Sequence, residues 1–164
     1  VRDLAQTCGY PIGVGMISNI GILFWGAAAS ICLFATFSES INREFSKLLF
    51  LGGGFSGLLC IDDFFLLHDR YIGQDFLNLT YLSISIFLLV RFRRILKEIG
   101  LLNLIISILF LGLSIFFDGV IQQIFNQSYE LTQLIEEGFK FLGIVCWLNF
   151  WCKASYYALK FGTF

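Results

Sequence analysis

One proline and one histidine stand in 164 residues, and only 14% of the chain is charged. The scarcity of charge excludes an ordinary soluble domain, in which about a quarter of the residues are charged. The lone histidine, His68, excludes a catalytic zinc rich in His ligands, a two-His facial triad and a bis-His haem. No Glu-x-x-His pair is present, so a ferritin-like di-iron bundle is excluded too. The five cysteines form no CxxC spacing, and Cys32, Cys60, Cys146 and Cys152 sit inside apolar runs, where they read as small buried hydrophobes. A net charge of −1 offers no basic patch to displace counterions, which argues against nucleic acid as a partner. There is no Ser-His-Asp spacing, Gly-rich phosphate loop or nucleotide motif. No signal peptide is read ahead of the first apolar run, and Leu4 to Cys8 makes a poor lipobox.

What is abundant is apolar surface. Hydrophobic residues make up 57% of the chain, twenty of them Phe, and the mean hydropathy is +0.80. Such a chain has too few polar groups to cover a water-facing exterior, whereas lipid removes that need and demands helices that satisfy their own backbone. Apolar windows of about 20 residues predict five transmembrane helices in one all-α membrane domain, over about 12–37, 47–67, 76–92, 101–125 and 137–159. The third is expected to run on into its basic tail.

Basic residues predict the sidedness. Arg43 and Lys47, then Arg91, Arg93, Arg94 and Lys97, then Lys153 and Lys160 fall on one side of a five-span serpentine, and the opposite loops are acidic. The expected arrangement is a multi-pass protein of the cell (inner) membrane with its N-terminus outside and its C-terminus in the cytoplasm. Tyr10, Tyr71 and Tyr129 then mark the outer boundary, with Tyr156 and Tyr157 near the inner one.

Several ionisable residues lie where hydrocarbon is expected. Asp62, Asp63, His68 and Asp69 form DDFFLLHD near the end of the second span, Asp118 sits deep in the fourth, and Glu136, Glu137 and Lys140 form EEGFK at the start of the fifth. At 1.5 Å per residue, Asp63 lies about 24 Å along its span from Lys47, and Asp118 about 26 Å along its own from Leu101. Carboxylates from three helices therefore reach one outer depth. One helix cannot aim Asp62, Asp63, His68 and Asp69 at a single point, so Asp62 or Asp63 is expected inward with His68, leaving Asp69 to Arg70 and solvent.

Asn103, Ser107, Ser114, Asp118, Gln122 and Asn126 recur at steps of four or seven, a polar stripe that must face protein or a cavity. Asn78, Tyr81 and Ser85 form a shorter stripe that would face it. Gly53 and Gly57 make a GxxxG for close helix approach.

Bland readings compete. Acids in a first helical turn favour the helix dipole, and Glu136–Lys140 is an ordinary i,i+4 pair. Lys140, one turn into hydrocarbon, needs a carboxylate partner in any case. Asp118, flanked by Ile-Phe-Phe and Gly-Val-Ile, is the least comfortable of the acids in a structural role. The Trp, Tyr and Phe stripes read as packing or lipid-facing.

The EEGFK segment resembles the paired-acid EExx(K/R) motif of membrane-embedded metalloproteases of the CAAX-processing type. That resemblance implies water activation or metal binding by Glu136 and Glu137. Those families place further His-bearing helices after the paired acids, whereas here only Asn149 follows and the sole histidine comes earlier. The combination DDxFxLHD with a later EEGxK is similar to small bacterial multispan membrane proteins, a likeness that carries no activity with it.

Three functions fit these observations. A metal-dependent membrane hydrolase or transferase would use Glu136, Glu137, Asp118 and His68 as acid–base groups. Its metal ligands would come from Asp62, Asp63, His68, Asp118 and Glu137, a hard donor set suited to Mg²⁺, Mn²⁺ or Ca²⁺. Its substrate would be a lipid or a membrane protein. A proton- or cation-coupled carrier component would use the same acids as a relay with coupled protonation. An accessory subunit of a larger membrane complex would use them to join helices and to meet membrane-protein partners.

Overall fold

A computed structural model describes residues 16–38, 41–67, 72–117 and 129–161, the last segment with side chains from 135 onward. Among these residues every regular element is a helix: α1 Met16–Thr36, α2 Arg43–Phe65, α3 Gln74–Arg91, α4 Arg93–Ile99, α5 Leu101–Phe116 and α6 Tyr129–Phe161. The described chain is all-α, as the apolar windows predict.

Two of the helices, α1 and α2, are long and apolar enough to cross a membrane, with mean hydropathies of 1.8 and 1.5. A third crossing is added if α3 and α4 count as one span, but the two meet at 84°. The expected third span therefore does not run straight into its basic tail: the chain turns at Phe92, and Arg93, Arg94 and Lys97 lie on a separate short helix. The α5 helix is apolar but covers 16 described residues. The α6 helix begins eight positions before the expected fifth span, because the polar stretch ahead of Glu137 continues the helix.

Local chemistry sets the bounds of α2. Asn42 caps it, its side-chain oxygen accepting from the Glu44 backbone N–H at 3.0 Å, so the helix starts before the apolar window opens at Lys47. At the other end Leu66 takes a left-handed conformation (φ 53°), a cap more often given to Gly, and its N–H bonds the carbonyl of Asp62.

Small residues decide which helices touch. A Cβ on Gly53 would come within 2.9 Å of Leu33 and 3.0 Å of Cys32 on α1, and Gly57 faces Ala29, so the GxxxG of α2 seats α1 as its spacing predicts. Gly52, on the adjacent face, lies directly under the Trp151 ring of α6. Gly143 of α6 accepts α5, with Leu111 against it, and the buried Ser107 hydroxyl donates to the Gly143 carbonyl at 2.7 Å. The core between α1, α2 and α6 holds Trp25, Cys32, Leu48, Leu49, Trp147, Phe150 and Trp151.

Two contacts join the helix ends. Arg91 at the end of α3 donates to Glu44 at the start of α2 over 2.9 Å, and Phe45 meets Tyr157 near the end of α6 with ring centroids 5.9 Å apart. Large apolar side chains cover the outside, including Phe34, Phe37, Phe76 and Val90, each more than 60% exposed. Apolar exposure spread over every helix but α4 exceeds what a water-soluble monomer presents. It suits contact with a membrane.

Candidate functional site

Where the polar residues of α2, α3 and α6 face one another, the bundle opens. A cavity of about 190 Å³ lies between α2, α3, α5 and α6, with Trp25 of α1 at its edge. Its polar part is built from Asp62 and Asp63 of α2, Gln74, Asn78 and Tyr81 of α3, and Glu136 and Lys140 of α6. Its apolar part is built from Phe55, Leu59, Ile108, Leu111 and Trp147, and two exposed side chains, Leu82 of α3 and Ile115 of α5, lie on its rim.

Asp63 is the best anchored of the acids. The Lys140 ammonium donates to its Oδ1 at 2.9 Å, and the Trp25 indole N–H donates to its Oδ2 at 3.0 Å. One carboxylate thereby ties α1, α2 and α6 together. The pair is largely withdrawn from solvent, with side-chain exposures of 10% for Asp63 and 25% for Lys140. Lys140 thus takes a carboxylate partner from another helix, 77 positions away. The charges of Glu136 and Glu137 both reach the ammonium, but only Glu136 lines the cavity.

Asp62 is buried, 4% exposed, and Tyr81 of α3 faces it across the cavity. The Tyr81 hydroxyl is itself buried and has no well-formed hydrogen bond among the described residues. Below this polar end, Trp147 packs edge-on against Trp25, Phe55 and Trp151, with centroids 5.5–5.7 Å apart, and its indole N–H donates to Ser56 Oγ at 2.8 Å. Ser56 passes the hydrogen bond on to the Gly52 carbonyl at 2.8 Å. This aromatic floor closes the cavity toward the core.

The structure therefore brings Asp62, Asp63 and Glu136 to one cavity. Both aspartates line it, where the geometry of a single helix suggested one of the two. The stripe Asn78, Tyr81 and Ser85 faces it from α3, and Ser114 faces it from α5. Ser107 and Ser114 are buried, so the described part of the α5 stripe points into the bundle. His68, Asp69, Arg70, Asp118, Gln122 and Asn126 lie outside the described residues. Among the described residues no three of His, Cys, Asp and Glu form a group able to hold a metal ion. Asp62, Asp63 and Glu137 thus do not make a metal centre by themselves.

Trp25 and Gln74 were not legible as site residues. Tryptophan in an apolar run reads first as packing. The one available signal is that a buried indole N–H needs an acceptor, and an intramembrane carboxylate is a strong one.

No curated protein and no solved structure matches this chain. The family model described as a domain of unknown function, DUF8692, matches residues 1–154. The chain belongs to that family.

Proposed function

We propose that this is a multi-pass protein of the cell (inner) membrane with five spans, its N-terminus outside and its C-terminus in the cytoplasm, and that its cavity binds a positively charged group within the bilayer. The observation that carries the binding reading is an imbalance: among the described residues, three carboxyl groups, Asp62, Asp63 and Glu136, line the cavity together with one cationic side chain, Lys140. Carboxylates in a low-dielectric site are stabilised by a cation or by shared protons. Trp25, Tyr81 and Trp147 add aromatic faces suited to an ammonium group. The apolar floor and the Leu82–Ile115 rim suit a ligand with a hydrocarbon portion. A membrane-embedded binding or carrier component of this kind meets its ligand from the bilayer.

A second reading, the metal-dependent hydrolase or transferase, is favoured by one observation: Asp62 and Glu136 line the same cavity from two helices. One experiment separates the two. Purified protein in nanodiscs is melted with a short-chain alkyltrimethylammonium, with an alkyl sulfate of equal chain length, and with Mg²⁺ or Mn²⁺. The cationic amphiphile is expected to raise the melting temperature more than the anionic one, and its apparent affinity is expected to fall about tenfold in Asp62→Asn, the equivalent of one charge contact. Equal effects of cation and anion would refute the binding reading. A metal shift abolished by Glu136→Gln would favour the enzyme.

Sidedness is tested separately, in a cysteine-free background carrying Gly73→Cys or Glu98→Cys. An impermeant maleimide applied to intact cells is expected to label position 73 and to spare position 98. The reverse pattern would invert the topology.

A further inference from the structure

We infer that α4 is a docking strip for the headgroups of anionic phospholipids. Its level in the bilayer comes from α2, one of the two helices long and apolar enough to cross a membrane. Glu44, in the first turn of α2, bonds Arg91 at 2.9 Å, and α4 starts two residues after Arg91. The strip therefore sits where α2 enters its apolar run. The 84° bend carries α4 across the mouth of the bundle, so the helix presents a side to the leaflet, not an end.

That side is sorted by chemistry. Phe92 and Leu96 are buried, at 3% and 0% exposure, and Ile95 and Ile99 pack against the same core. Positions 92, 95, 96 and 99 form one helical stripe, which fixes the rotation of α4 about its axis. Arg93, Arg94 and Lys97 are left on the exposed face, accompanied by one acid, Glu98. Arg91 is not counted, since Glu44 already engages it. Guanidinium groups match phosphate oxygens with paired N–H donors, and a strip held by core packing loses little freedom on binding them. A zwitterionic headgroup carries an ammonium that partly cancels this attraction, whereas phosphatidylglycerol does not. The inference shares with the proposed function only the premise that α2 crosses a membrane, and it makes no use of the cavity.

The test uses the full chain in phosphatidylcholine bilayers doped with spin-labelled phosphatidylglycerol or spin-labelled phosphatidylcholine. The motionally restricted fraction reports the relative association of each lipid. Wild type is expected to prefer phosphatidylglycerol roughly fivefold at low ionic strength, the equivalent of one basic residue at an anionic surface. The preference should fall to near parity in Arg93→Gln/Arg94→Gln/Lys97→Gln, and it should survive in Lys153→Gln/Lys160→Gln. Arg93→Gln and Lys97→Gln singly should each lower it in part, which keeps the test decisive if the triple variant fails to fold. Inorganic phosphate at 10 mM and constant ionic strength should leave the preference unchanged; its abolition would identify a site for free phosphate in place of a lipid. Equal association of both lipids with wild type, or an undiminished preference in the triple variant, would overturn the inference.

Discussion

The two sides of this bundle are built on opposite rules. On the α1–α2–α6 side, Gly52, Gly53 and Ala29 bring helices close enough for Trp151, Leu33 and Cys32 to pack against bare backbone. On the α3–α5 side the facing residues are Asn78, Tyr81, Ser85 and Ser114, and the helices stand apart around a cavity. Lipid supplies little hydrophobic drive for helices to associate, so contact depends on small residues and on interhelical hydrogen bonds. Where Gly52 and Gly53 face a neighbouring helix the bundle is tight. Where the polar stripes of α3 and α5 face each other, the same fold leaves room for a guest. The Asp63–Lys140 pair stands on the seam between the two.

The seam is the place to break the comparison. Lys140→Met would leave Asp63 with the Trp25 indole alone and is expected to destabilise the protein by about 3 kcal/mol, since removing one partner of a buried pair strands a charge. Asp63→Asn/Lys140→Met should cost clearly less than Lys140→Met, because no charge is then stranded and Asn can still accept from Trp25. Equilibrium unfolding of wild type and the two variants in mixed micelles checks this. A double variant as unstable as Lys140→Met would deny the pair its role.

A smaller effect sharpens the tight side. Gly52→Leu drives a side chain into the Trp151 ring and should cost about 1–3 kcal/mol through overpacking. Gly54, two positions on, has nothing within 4 Å of an added Cβ. Gly54→Ala should therefore stabilise α2 by about 0.5–1 kcal/mol, the usual gain from replacing an exposed mid-helix glycine. Melting temperatures moving in the same direction for both would mean that the contact with Trp151 is not what distinguishes them.

The faces were legible in the sequence, and the pairings were not. Steps of three, four and seven residues fix which side chains share a helix face, so the stripes through Asn78, Tyr81 and Ser85 and through Ser107 and Ser114 could be read before any contact was known. Depth could also be counted along each helix, which is why the acids of α2 and α6 were expected to meet. The rotation of one helix relative to another is set by packing between residues far apart in the chain. That is what gave Lys140 to Asp63, 77 positions away, and Trp25 to the same carboxylate. The 84° break was hidden for another reason. Arg91, Phe92 and Arg93 include neither Pro nor Gly, and the turn is held by burial of Phe92 and Leu96, a tertiary cause with no local signature.

The α2 and α6 helices meet at two fastenings, Asp63 with Lys140 near one end and Phe45 with Tyr157 near the other. Measured along α2 the fastenings are about 27 Å apart, and along α6 about 26 Å, at 1.5 Å per residue. The two helix stretches act as equal-length rails of a ladder, and a ladder with two fixed rungs holds its height. That height is close to the hydrocarbon thickness of a bilayer, about 30 Å. Eleven further residues of α6, from Tyr129 to Phe139, continue beyond the upper rung for about 16 Å. In the proposed five-span arrangement the frame would gauge the thickness of the layer it suits, with the overhanging stem of α6 standing beyond it as a post.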